Sequence, residues 1–161
     1  MQRIRKILAA AGAIAILMAA LPWAATMIPE MAGLTAVSVP TGSMEPLVPA
    51  GSMAYVADGE ASEGDVAAFY ALDGETMVLH RVIDIDSDSG TMLTKGDANG
   101  LPDVVRVPCA NTVGLLKWSV PGLGIFSEAM HTPLGRICCA MLGYAGAMLM
   151  VMAACLGRKR Y

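Results

Sequence analysis

Thr76-Met77-Val78-Leu79-His80-Arg81-Val82-Ile83-Asp84-Ile85 is a ten-residue apolar and β-branched run. Leu72-Asp73-Gly74-Glu75 precedes it and Asp86-Ser87-Asp88-Ser89-Gly90 follows. A run of this kind between Gly, Asp and Ser clusters reads as a β-strand. Shorter runs of the same type surround it. Thr35–Val39 stops at Pro40, Ser52–Ala57 follows Pro49-Ala50-Gly51, and Asp65–Tyr70 follows Gly64. Thr91–Thr94, Val104–Val107 and Thr112–Leu116 complete the set. No helical period competes with this pattern. The spacing predicts a mainly β domain, a barrel or sandwich, over roughly residues 35–120, with no internal repeat. Pro121-Gly122-Leu123-Gly124-Ile125-Phe126 then breaks the β pattern. It reads as a plain linker or as a contact with a membrane interface.

Two uncharged apolar segments flank the β region, residues 7–29 and 137–156. About 20 helical residues cross a ~30 Å hydrocarbon core, so each is long enough to span. Pro22 reads as a kink or an exit point, and Trp23 suits an interface. For the first segment the alternative is a cleaved signal peptide, with Arg3, Arg5 and Lys6 ahead of it and Ala24-Ala25 as a cut site. Its length favours a retained anchor. For the second the alternative is a buried core helix, but the closing Gly157-Arg158-Lys159-Arg160-Tyr161 favours a span. Ala140, Gly143, Gly146 and Ala147 offer a small-residue face, for close packing of the first span or for lipid.

Charge gives the orientation. The chain has 161 residues and a net charge of −3, yet all 14 acidic residues fall between Glu30 and Glu128. That stretch holds four basic residues, Arg81, Lys95, Arg106 and Lys117, a balance of −10. Basic residues favour the cytoplasmic ends of membrane segments. The expected organisation is a cytoplasmic N-terminus (1–6), an anchor (7–29), an extracytoplasmic domain (30–126), an interfacial linker (127–136), a second span (137–156) and a cytoplasmic basic tail (157–161). In a eukaryotic cell the middle domain would face the lumen of the endoplasmic reticulum. An acidic domain is not a nucleic-acid binder, because phosphate contacts need a basic face. Cys138, Cys139 and Cys155 lie in the second span and Cys109 stands alone, so neither a disulfide framework nor a zinc site is expected. No cofactor is expected.

One stretch offers a nucleophile: Val39-Pro40-Thr41-Gly42-Ser43-Met44-Glu45-Pro46. Ser43 needs a base to take its proton as it attacks. His80 is the one histidine of the middle domain, in the strand-like run above; His131 falls just before the second span. Lys95 is the other available base, and a half-buried structural role is the alternative for His80. Thr94-Lys95-Gly96-Asp97-Ala98-Asn99-Gly100-Leu101-Pro102-Asp103 supplies two acids around a glycine-rich turn. A carboxylate beside a histidine fixes the imidazole tautomer and stabilises the imidazolium. A solvated turn is the alternative.

In this order, Gly42-Ser43-Met44-Glu45-Pro46, Gly64-Asp65-Val66, His80-Arg81-Val82-Ile83 and Thr94-Lys95-Gly96-Asp97 resemble the sequential boxes of type I signal peptidases, over roughly residues 36–126. His80 stands where the common bacterial enzymes carry a lysine. This resembles the endoplasmic-reticulum branch, also found in archaea and some Gram-positive bacteria. The resemblance implies a signal-peptidase-like β domain between two transmembrane helices, with Ser43 as nucleophile and His80 as base. It implies Asp103 as the acid that orients His80, with Asp97 second. It places the oxyanion on the Ser43 N–H and the Thr41 hydroxyl. The substrate would lie between Val37-Ser38-Val39 and Met77-Val78-Leu79, and small residues at −1 and −3 before the cut would enter shallow pockets. Leu47, Val48 and Ile125 would form a membrane-facing rim. The chain departs from the family pattern at Gly51-Ser52, often Gly-Asp; at Ala98, often Asn; and at Pro102, often an acid.

The function implied is removal of signal peptides from secretory preproteins by a multi-pass membrane serine endopeptidase. Its partners would be those preproteins, the bilayer and any membrane partner subunits. The competing readings are a non-catalytic tethered β domain that binds a partner, and a self-cleaving peptidase of the repressor-processing group. The latter group is soluble and uses a lysine base, so the two apolar segments and His80 disfavour it.

Overall fold

The computed structural model describes residues 2–158; Met1 and the last three residues of the basic tail lie outside the described residues. The chain divides into two compact units, Thr26–Ser127 and the two terminal helical segments.

Seven strands make up the first unit: β1 (Leu34–Val39), β2 (Ser52–Ala57), β3 (Val66–Tyr70), β4 (Met77–Asp86), β5 (Thr91–Lys95), β6 (Val107–Pro108) and β7 (Thr112–Val120). They form one antiparallel sheet in the order β1-β2-β7-β3-β4-β5-β6. The expected barrel or sandwich is one sheet curled into a half-barrel. Register shifts at Tyr55/Val56, Ala68/Phe69 and Val82/Asp84 mark bulges, which bend a strand and increase its twist.

Successive side chains of a strand point to opposite faces. In β3, Val66 and Ala68 join one buried cluster with Val37, Val39, Met44, Val48, Ala54, Val56 and Leu79. Ala67 and Phe69 join another with Val82, Met92 and Val107. Two covered faces explain why β2 and β3 read as nearly unbroken apolar runs rather than alternating ones. Val48 belongs to this core and is fully buried, so it cannot form an exposed rim; Leu47 and Ile125 are exposed.

The strand expected over Val104–Val107 is reduced to Val107–Pro108. Its partner β5 meets β6 only through Thr91 and Met92, so Val104 and Val105 have no strand to pair with and stand exposed. The stretch read as breaker and linker holds a helix instead, α2 below. Among the terminal elements, α1 runs Gln2–Met31, α2 Leu123–His131 and α3 Pro133–Arg158. Thr132 Oγ1 accepts the Gly135 N–H at 3.0 Å. A threonine cap followed by proline at the first helical position starts α3 four residues ahead of the apolar segment read from the sequence.

Helices α1 and α3 are long and apolar enough to cross a membrane, over Gln2–Ala25 and Pro133–Gly157. α1 continues through Pro22. Ile7, Leu17, Leu21, Met141, Tyr144 and Val151 are all exposed, the reverse of a core helix. The two helices meet backbone to backbone: a Cβ on Gly146 would lie 2.8 Å from the Gly12 carbonyl oxygen, and one on Gly12 2.7 Å from that of Gly146. This is the close packing that small residues permit.

Candidate active site

Ser43 lies in the turn after β1. Its neighbours Met44 and Val48 are buried in the core and hold the turn from within. The Glu45 N–H bonds the Gly42 carbonyl at 3.1 Å and the Val48 N–H the Met44 carbonyl at 2.9 Å. The Gly51 N–H returns to the Val39 carbonyl at 2.7 Å, tying the far end of the turn to β1. Ser43 is therefore fixed by its backbone while its side remains half-buried. Thr41 Oγ1 stands 3.3 Å from Ser43 Oγ.

His80 comes from β4. Met77 and Leu79 turn to the cluster that holds Met44, and Val78 and Val82 to the other. Strand alternation puts His80 on the side of Val78 and Val82. Its Nε2 is 3.1 Å from Ser43 Oγ and its Nδ1 is 2.6 Å from Asp103 Oδ2. The imidazole is 12% exposed and the carboxylate 27%, so water competes little for the ring. Thr94, fully buried, donates its hydroxyl to the same Asp103 oxygen at 2.6 Å. The Asp103 N–H returns to the Thr94 carbonyl at 2.8 Å. A carboxylate accepting from Nδ1–H leaves Nε2 as an acceptor facing Ser43.

The two acids of the glycine-rich turn separate. Asp103 meets His80. Asp97, expected as the second candidate to orient His80, is taken by Arg81 through both its oxygens, at 2.8 Å from Nε and 2.6 Å from Nη2. Arg81 also donates Nη1–H to the Gly64 carbonyl at 2.7 Å. The hydrogen bond from Arg81 to Asp97 raises the guanidinium pKa above its ordinary value, against the effect of burial. Asp97 thereby anchors the turn, and the turn in turn holds Ser43: the Ala98 N–H bonds the Ser43 carbonyl at 2.9 Å. Gly96 permits this approach, since a Cβ there would lie 2.6 Å from the Ser43 carbonyl oxygen. Lys95 pairs across the sheet with Arg81, while His80 occupies the position beside Ser43.

The sequence assigned no role to Thr94 or Arg81, although both lie in the quoted boxes. The available signal was adjacency. Arg81 follows His80, so it points to the opposite face, towards the turn that carries Asp97.

Val37, Ser38 and Val39 lie on β1, an edge strand paired with β2. Met77, Val78 and Leu79 pair with β3, whereas β5 pairs with β4 only from Arg81 onward. Among the described residues, the stretch from Met77 to Leu79 thus has a strand partner on one side. The buried side chains of Val37, Val39 and Leu79 share a cluster, so the two segments belong to one wall of the core. Hydroxyl, imidazole and carboxylate in this sequence can draw a proton from Ser43 as its oxygen attacks a carbonyl.

No family model matches the chain. It is 38% identical over 89 residues to signal peptidase I W of Bacillus subtilis (strain 168), an alignment covering 52% of this chain and 46% of that protein. The chain spans about half the length of the curated relative it matches. That similarity supports kinship with the type I signal peptidases and a signal peptidase hydrolase at the level of the family.

Proposed function

We propose that this chain is a membrane-anchored serine endopeptidase that removes signal peptides from secretory preproteins, in the branch with a Ser-His pair. The observation that carries this reading is His80 bridging Ser43 and Asp103 at 3.1 and 2.6 Å. Similarity to a signal peptidase supports the substrate class. Two helices long and apolar enough to span support the membrane setting.

In this reading the preprotein enters as an extended strand between β1 and β4. Ser43 Oγ attacks the carbonyl that precedes the cut while His80 Nε2 takes its proton. Asp103 holds the ring and stabilises the imidazolium. The Ser43 N–H and the Thr41 hydroxyl receive the oxyanion; one such donor is worth about 10²–10³ in rate in a serine protease. The imidazolium then protonates the leaving amine, and water activated by His80 releases the signal peptide from Ser43. Small residues at −1 and −3 fit beside Val39, Met44 and Leu79. A methyl-sized pocket discriminates by only about 1–3 kcal/mol per methylene, so anchoring at the bilayer adds selectivity. The catalytic domain faces away from the cytoplasm, opposite the basic ends of the chain.

The full chain in liposomes, incubated with a secretory preprotein, should release a mature product whose new N-terminus follows a small residue. An intact preprotein under these conditions would overturn the reading.

A further inference from the structure

A cavity of about 340 Å³ adjoins the catalytic group, lined by Leu72, Val78, Val104 and Val105 and by His80 and Asp103. Apart from His80, Asp103 and Thr94, every residue lining it is apolar. We propose that this cavity receives the side chain of one of the first three residues after the scissile bond, and that it selects an apolar one there. The inference rests on the peptidase reading and extends it to the mature end of the substrate.

The two faces of β4 separate the two halves of the substrate. On one face Leu79 packs with Val37, Val39 and Met44, and in the peptidase reading the residues before the cut come to that side. The cavity lies on the other face, with Val78 and His80. Val78, expected beside the signal peptide, thus becomes a wall of this second site. His80 both lines the cavity and reaches Ser43 Oγ. Because His80 Nε2 must protonate the leaving amine, the mature chain begins beside that ring and passes over the cavity.

The chemistry of the lining names the occupant. Leu72 is 61% exposed, Val104 100% and Val105 54%, three large apolar groups in water around one cavity. Burying them against an apolar side chain is favourable, whereas a carboxylate there would lose water without gaining a donor. The space exceeds that of a bound water many times over and accommodates a leucine. Signal-peptide selection would then be joined by a preference at the start of the mature protein.

The test uses the full chain in detergent micelles and preprotein-derived peptides with alanine at +1, +2 and +3. Leucine or aspartate is placed singly at each position. At one position leucine should exceed aspartate by about tenfold in kcat/KM. Leu72→Asp and Val104→Asp alter exposed side chains, so they should cleave the all-alanine peptide at the wild-type rate while erasing the leucine preference. Equal rates for leucine and aspartate at all three positions would overturn the proposal. So would a preference that survives both variants. Failure of the wild type to cut any peptide is a different outcome, which removes the peptidase reading and this inference together.

Discussion

His80 Nδ1 and Asp103 Oδ2 are 2.6 Å apart, and the Thr94 hydroxyl donates to the same oxygen at 2.6 Å. In the proposed mechanism that oxygen is held by one group that acts, His80, and one that stays in place, Thr94. Asp103→Asn should therefore lower kcat by about 10³–10⁴-fold, as a wrong tautomer does in a serine triad, with KM little changed. Thr94→Val should give a smaller loss in kcat. Steady-state kinetics on a preprotein checks both; an unaffected kcat in Asp103→Asn would remove Asp103 from the mechanism.

Asp97 should behave differently. Its pair with Arg81 fixes the turn whose Ala98 N–H holds the Ser43 carbonyl. Asp97→Asn should lower stability by about 1–2 kcal/mol, since the pair is charged and bidentate yet partly exposed. It should reduce kcat through a displaced Ser43 while leaving the shape of the pH–rate profile unchanged. Thermal unfolding and a pH profile of the same variant separate this positioning role from proton transfer. An altered profile with full stability would place Asp97 in the chemistry instead.

Acid should act at two levels. Protonated His80 cannot accept the Ser43 proton, so kcat/KM should fall in acid. The fold loses part of its stability at lower pH. The Ser89 hydroxyl, then the Ser89 and Asp88 N–H groups, hold the Asp86 carboxyl below its ordinary value. Thr76 and Glu75 do the same for Asp73. A depressed carboxylate stabilises the fold above its unfolded pKa, and this is lost as pH falls below about 4 through the lower folded value. Activity and circular dichroism measured across one pH series check both effects. Activity that persists in acid while the fold is intact would argue against His80 as the base.

Much of this was legible in the sequence where one residue type allowed one answer. Six strands lie where apolar runs alternate with turns, and Ser52–Ala57 matches to the residue. Ser43 and His80 were candidates because a nucleophile needs a base, but Lys95 was a second base, and the resemblance to the signal peptidase boxes chose His80. Choosing between Asp97 and Asp103 depended on which face of β4 each turn residue met, and spacing does not encode that. Val104–Val107 had strand composition, but its pairing depended on the length of β5. Thr132-Pro133 carried a helix-start signal that was readable; α2 ahead of it is short and was hidden by Gly122 and Gly124. Val48 looked like rim because its apolar character is the same in a core and at a membrane.

Ser43 is the proposed nucleophile, and replacing its oxygen removes the attacking atom. In liposomes holding equal amounts of folded wild-type and Ser43→Ala chain, the initial rate of preprotein cleavage should fall at least about 10³-fold in the variant. Cleavage by Ser43→Ala at a rate near that of the wild type would show that another group attacks the peptide bond.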